Sequence, residues 1–249
     1  MGLRYETPSM RIEDATALVV DDEIELQEIF ASWLRRSGCK VFTAGHGAQA
    51  LEILASHKID VLISDINMPI MNGLELVRAV HRLRLAIPGI IFVSGFHDID
   101  LREMYALGVE KLIEKPLRLQ DLKAAIQASL QDRGQMWLAP AAEPATQAVV
   151  LEMDSVAKAI ESCRFQVGRG GCCFAIDSAP DLNQPLSLSI HFVEEGFTFQ
   201  AQGRLRWFDK KTMHAGLEFD HIESSCRDFV LASQTETTRR TFIPSCTVC

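Results

Sequence analysis

Long apolar runs are scarce in this chain of 249 residues. None approaches the roughly 18 residues that a membrane-spanning helix needs. Met1 to Arg11 is polar and lacks the apolar stretch of an export signal. Basic charge is scarce too: 25 Lys and Arg face 33 Asp and Glu, a formal net charge of -8. From Val149 onward 10 basic residues face 13 acidic ones, a balance of -3. A nucleic-acid-binding module carries a basic stripe. None is visible there, nor is a helix-turn-helix pattern, so neither nucleic acid nor membrane is an expected partner. Cysteine is present, but seven is an odd number, and no export signal accompanies it. That argues against a disulfide framework. The expectation is a cytoplasmic protein.

What is there has two textures. A length of 249 residues suits two small domains better than one. Between Glu23 and Leu130 apolar runs alternate with amphipathic stretches. Helix faces are marked by Ile24, Leu26, Ile29, Phe30, Trp33 and Leu34, by Leu74, Leu76, Val77, Val80 and Leu83, and by Leu119, Leu122, Ile126 and Leu130. Five strands alternating with five helices read as α/β, a five-stranded doubly wound parallel sheet.

The ends of the expected strands carry the chemistry. Ala17 to Val20 runs into Asp21 and Asp22, and Ile59 to Ser64 runs into Asp65, after which Pro69 and Gly73 stop the strand. Ser94 ends a third strand and Lys115 follows a fourth. An open parallel sheet gathers ligands outside the carboxyl ends of its strands. Clustered carboxylates repel one another unless a positive charge joins them. Mg²⁺, which takes oxygen ligands, is the natural guest. Asp21, Asp22, Asp65 and the carbonyl of Asn67 would hold it. Asp65 would also turn one oxygen outward as a nucleophile. Ser94 and Lys115 would bind the oxygens of an incoming phosphoryl group, in chemistry made mostly of positioning and charge neutralisation.

With Asp21-Asp22, Asp65, Met68-Pro69, Asn72-Gly73, Ser94 and Lys115-Pro116 in this order, residues 14–132 resemble the receiver domain of two-component response regulators. The resemblance implies a flavodoxin-like fold, phosphorylation of Asp65 by a histidine kinase or phosphotransfer protein, and a cis Lys115-Pro116 bond. It also implies a switch through Ser94 and Lys115, and a homodimer paired along the Ser94 to Leu130 face. One departure is Leu112, where such domains often carry an aromatic ring. Phe96 falls at a position lining the phosphorylation pocket.

Residues 133–148 read as a Pro/Ala-rich linker, extended and semi-rigid. Val149 to Ile160 reads as a short helix. After Ser162 the period becomes two, as in Leu186, Leu188, Ile190 and Phe192, which predicts a small antiparallel β-barrel within residues 149–232. Residues 233–249 read as a flexible tail. Cys246 and Cys249 have metal-ligand spacing there, but no second ligand pair is evident in the sequence.

The barrel resembles a PilZ domain at Gly170-Gly171-Cys172-Cys173-Phe174, Gly203-Arg204-Leu205-Arg206-Trp207 and Ala215-Gly216-Leu217-Glu218-Phe219. The family commonly binds cyclic di-GMP through paired arginines and an Asp-x-Ser-x-x-Gly turn. Here Gln166 and Gly168 stand at the Asp and Ser positions, and no arginine lies between Gly134 and Cys163. Lys158 does not replace a guanidinium plane. The leading expectation is therefore a phosphorylation-controlled regulator whose barrel binds a protein partner, with Arg204 and Arg206 on a candidate surface. The second is a dual-input regulator that still binds cyclic di-GMP. An enzyme is the third and weakest, because His191, His214 and His221 have no recognisable catalytic companions.

Overall fold

The structure is a computed structural model. It describes residues 10–95, 99–132, 137–182, 184–233, 235 and 239–246. The chain divides into two compact units, Met1–Ile99 with Val109–Asp132, and Asp100–Gly108 with Arg133–Cys249. Phe96 lies outside the described residues.

The first unit is built on five parallel strands: β1 (Thr16–Val20), β2 (Lys40–Ala44), β3 (Val61–Asp65), β4 (Gly89–Ser94) and β5 (Val109–Glu114). Their order is β2-β1-β3-β4-β5. The order reverses between β1 and β3, the switch point where a doubly wound sheet opens a crevice at its carboxyl edge. β3 is buried throughout, as a strand covered on both faces should be. Around the sheet lie α1 (Ile24–Arg36), α2 (Gly47–Ser56), α3 (Gly73–Arg82) and α5 (Leu119–Leu130). One side of the core joins Val19, Ile63, Ile91 and Val93 to Phe30, Leu34, Leu122 and Ile126. α1 turns Gln27, Phe30, Ala31 and Leu34 inward. Ile24 and Ile29, expected on that face, are exposed.

The second unit includes α4 (Leu101–Ala106), β6 (Gln147–Met153), α6 (Val156–Glu161), β7 (Phe165–Val167), β8 (Gly171–Ala175), β9 (Pro185–Phe192), β10 (Phe197–Asp209), β11 (His214–Ile222) and α7 (Ser224–Ala232). The strands form one six-stranded sheet in the order β6-β9-β10-β11-β8-β7. β7 through β11 pair antiparallel, but β6 lies parallel to β9. The order has two ends, so the sheet is a curled half-barrel and the expected wholly antiparallel barrel is corrected. β9 alternates strictly between half-buried and buried positions. Leu186, Leu188, Ile190 and Phe192 enter a core with Phe165, Phe174, Phe199 and Leu217.

Three stretches differ from their sequence reading. Val149 to Met153 is strand, and the helix begins only at Val156. Of the expected linker, Trp137 is buried against the edge of Phe219, and Gln147 and Ala148 already belong to β6. Within the expected tail, Phe242 and Ile243 are buried and Cys246 is disulfide-bonded to Cys173. The tail lies along the turn between β7 and β8, where Arg169 N donates to Thr241 O and Gly170 N to Phe242 O, each at 3.0 Å.

Candidate functional site

Asp65 is the last residue of β3, and the loop after it is tied back on itself. Gly73 N donates to Ile66 O at 2.8 Å. A Cβ on Gly73 would stand 2.6 Å from Asp65 O, so only glycine allows this approach. Asn72 and Glu75 close a reciprocal capping box at the start of α3. The loop also bends through Ile70, which has a positive φ of 69°. The Asp65 carboxylate is thereby fixed, with Oδ2 accepting from Asn67 N at 2.6 Å.

Asp21 arrives from β1. Its Oδ1 accepts from Glu23 N at 2.9 Å. Gln27 Nε2 donates to Asp21 O at 3.1 Å and to Ala44 O at 2.8 Å, which pins the β1–α1 turn against β2. Lys115 comes from the end of β5, where its peptide bond to Pro116 is cis. Its N donates to Ser94 O at 2.9 Å. Its Nζ reaches Asp65 Oδ1 at 2.9 Å, Asp21 Oδ2 at 3.2 Å and Glu23 Oε1 at 3.6 Å.

The site therefore joins Asp21, Asp65 and Lys115 directly. Ser94 is buried one residue past Val93, the ladder partner of Asp65. Asp22 is exposed at the rim, and Asn67 meets Asp65 through its backbone N. Glu23 and Gln27 were not legible as site residues. Their roles depend on the turn bringing a backbone N and a side-chain amide onto Asp21, which no spacing rule announces.

Electrostatics follow burial. Burial lifts the Asp21 carboxyl above the usual range, with the Asp65 charge adding to it, while the Glu23 N–H and Lys115 pull it back. Burial pulls the Lys115 ammonium down, yet the hydrogen bond and charge of Asp65, together with Asp21, outweigh it and leave it raised. Among the described residues no three His, Cys, Asp or Glu side chains are gathered as a metal site. Here Lys115 stands between the two buried carboxylates. Two such carboxylates sharing one ammonium leave net negative charge in a confined place. Their oxygen donors fit a hard divalent cation better than a soft one.

Residues 17–127 match the family described as the response regulator receiver domain. The response regulator SaeR of Staphylococcus aureus is 32% identical over 105 residues, which is 42% of this chain and 46% of that protein. The chain thus spans about half the length of this relative. Chemotaxis protein CheY4 of Vibrio cholerae is 30% identical, covering 47% of this chain and 98% of that one, with a TM-score of 0.44. Response regulator protein TrrA of Thermotoga maritima, solved in complex with Mg²⁺-BeF, is 28% identical over 47% of this chain and 99% of that one, with a TM-score of 0.42. Together with the five-stranded parallel sheet, the family match identifies residues 17–127 as a response regulator receiver domain.

Proposed function

We propose that the chain is a response regulator phosphorylated on Asp65 by a histidine kinase or phosphotransfer protein, and that its second unit passes the signal to a protein partner. The observation that carries the first part is Lys115 Nζ at 2.9 Å from Asp65 Oδ1, on the same rim as buried Asp21. Mg²⁺ would be held by Asp21, Asp22, Asp65 and the Asn67 carbonyl, and it supplies positive charge where phosphoryl oxygens gather. The Asp65 carboxylate attacks the donor phosphorus, and the leaving group departs with its electron pair. Lys115 and Ser94 hold the phosphoryl oxygens. The chain is otherwise not an enzyme.

The second unit is a PilZ-like module in this reading, although its sheet stays open and its ligand turn is damaged. The turn with Gln166, Gly168 and Gly171 is overlaid by the chain's own residues. A Cβ on Gly168 would stand 2.6 Å from Phe242 O, and one on Gly170 would meet the Phe242 ring at 1.9 Å. Arg206 is paired with Glu218, and Arg204 with Glu143. These contacts favour a protein partner over cyclic di-GMP. The dual-input alternative requires the tail to leave this turn.

The test of the acceptor is incubation with acetyl phosphate and Mg²⁺, read by intact mass. One phosphoryl group should add to the wild-type chain and none to Asp65→Asn. Equal modification of both would overturn the assignment.

A further inference from the structure

The six-stranded sheet of the second unit ends at two edges, β7 and β6. The β7 edge is three residues long, and the chain's own tail lies along its turn into β8. Short or covered edges are how β proteins avoid unwanted pairing. The β6 edge is built differently. It runs for seven residues, Gln147–Met153, and pairs with β9 in unbroken register. Among the described residues no strand pairs with its other side. Alternate residues of such a strand turn their N–H and C=O groups toward the open side. β6 holds no proline, lysine or arginine, and Glu152 is its one charged residue. The devices that blunt an edge are therefore missing from the longer of the two.

The two faces of β6 are unfinished as well. Val149 and Leu151 pack against the core beside Leu188 and Ile190, yet both stay half-buried, because no strand stands on their other side. On the opposite face Ala148, Val150 and Glu152 are exposed beside Ser187, Ser189 and His191. Val150, at the centre of the strand, is 77% exposed. The strand is self-complementary about that residue. An antiparallel copy centred there places Val150 opposite Val150, Ala148 opposite Glu152 and Val149 opposite Leu151. The central core-facing pairs are then apolar. The two Glu152 carboxylates stay apart, four residues along the ladder or roughly 13 Å. A one-residue slip would turn the incoming apolar set away from the core, so the register is specified.

We propose that β6 is a self-association edge: two copies of this chain pair β6 with β6, antiparallel about Val150, and join their sheets into one. A twofold axis through the Val150 pair makes the interface isologous. The pairing therefore closes at two copies and leaves no β6 edge to extend a fibre. Each copy supplies backbone partners to the other's open edge and covers its half-buried Val149 and Leu151. A strand of another protein would satisfy the backbone equally. The matched Val149–Leu151 and Ala148–Glu152 pairs single out a second copy. The contact uses residues of the second unit only, and it differs from the receiver pairing along Ser94 to Leu130 that the family resemblance implies. The inference is independent of the chemistry at Asp65.

The test is sedimentation of the full, unphosphorylated chain across micromolar concentrations, with Asp65→Asn beside it to keep receiver phosphorylation out of the comparison. Both should form dimers. Val150→Lys should weaken association by at least about 100-fold, because two ammoniums would meet in a desolvated strand pair. Leu231→Lys, at an exposed apolar position of α7, should leave it unchanged. Oxidative cross-linking reads the register. Directly opposed Cβ atoms lie about 5 Å apart, within small adjustment of a disulfide. Val150→Cys should therefore give a covalent dimer on a non-reducing gel, beyond any band of the wild type. Glu152→Cys, whose copies lie roughly 13 Å apart, should not. Should Val150→Lys fail to fold, the cross-linking pair decides. A monomeric wild-type chain overturns the proposal and leaves the edge to a strand of another protein. So does undiminished association of a folded Val150→Lys variant, or a Val150→Cys variant that cross-links no better than Glu152→Cys.

Discussion

Two titratable side chains, the half-buried Lys115 and the buried Tyr105, show what single residues contribute. Lys115 has its ammonium raised by Asp65 and Asp21 in spite of burial. A raised lysine lends stability that is fully present below its ordinary value and is lost only as pH rises through the folded one. Neutral solutions should therefore not disturb the site. Replacing Lys115 with Ala should leave Asp65 modifiable but unresponsive, because the phosphoryl charge loses its fixed partner. Hydrogen-exchange changes on phosphorylation equal to those of the wild type would contradict this. Tyr105 is a cleaner probe. Burial pushes its phenol up to about 12, with the nearby Arg206 charge pulling it back. The folded state keeps this proton while an unfolded chain loses it near pH 10. Stability should therefore fall between about pH 10 and 12, by roughly 2–3 kcal/mol. Ultraviolet titration of the wild type against Tyr105→Phe should show a late component that the variant lacks. If Tyr105→Phe instead removes a component titrating near pH 10, the burial is contradicted.

Elements differ in how much of them the sequence declares. The receiver strands were legible because each apolar run ends abruptly, at Asp21, Asp65 or Ser94. The same punctuation located Asp65 and Lys115. β6 was not legible. Val149, Val150 and Leu151 form an unbroken apolar triplet that hides the alternation, and the strand exists through parallel pairing with β9, roughly forty residues away. The tail was missed for a similar reason. Phe242 is buried because Gly168 and Gly170 leave backbone bare beneath it, and that complement lies far off in sequence. Phe242 also stacks on Tyr105 and takes its carbonyl as a hydrogen-bond acceptor. Phe242→Ala should cost about 3–5 kcal/mol, the usual range for emptying an aromatic core position. Chemical denaturation would measure it. Hydrogen exchange should quicken at the amides of Arg169 and Gly170, which lose their acceptors. A loss below about 1 kcal/mol would mean that the tail does not hold this turn.

At the scale of the whole molecule the question is what the second unit reads. Among the described residues no helix is long and apolar enough to cross a membrane. Phosphorylation can alter partner capture only if the partner prefers one state, since a ligand of equal affinity for both shifts nothing. For the second unit the rival input is cyclic di-GMP. A site for stacked guanines needs free guanidinium planes and a polar turn to receive them. Arg204 and Arg206 are engaged by Glu143 and Glu218. Gln166 is drawn to Cys163, and the turn itself is covered by Thr241 and Phe242. A nucleotide would have to displace a buried aromatic ring and its hydrogen bonds before making any contact of its own. Calorimetric titration of the full chain with cyclic di-GMP should therefore give no binding heat at micromolar ligand, with Asp65 phosphorylated or not. Heat in the phosphorylated form alone would restore the dual-input reading, because it would show that the modification frees the turn. Heat in both forms would show that the tail does not guard it.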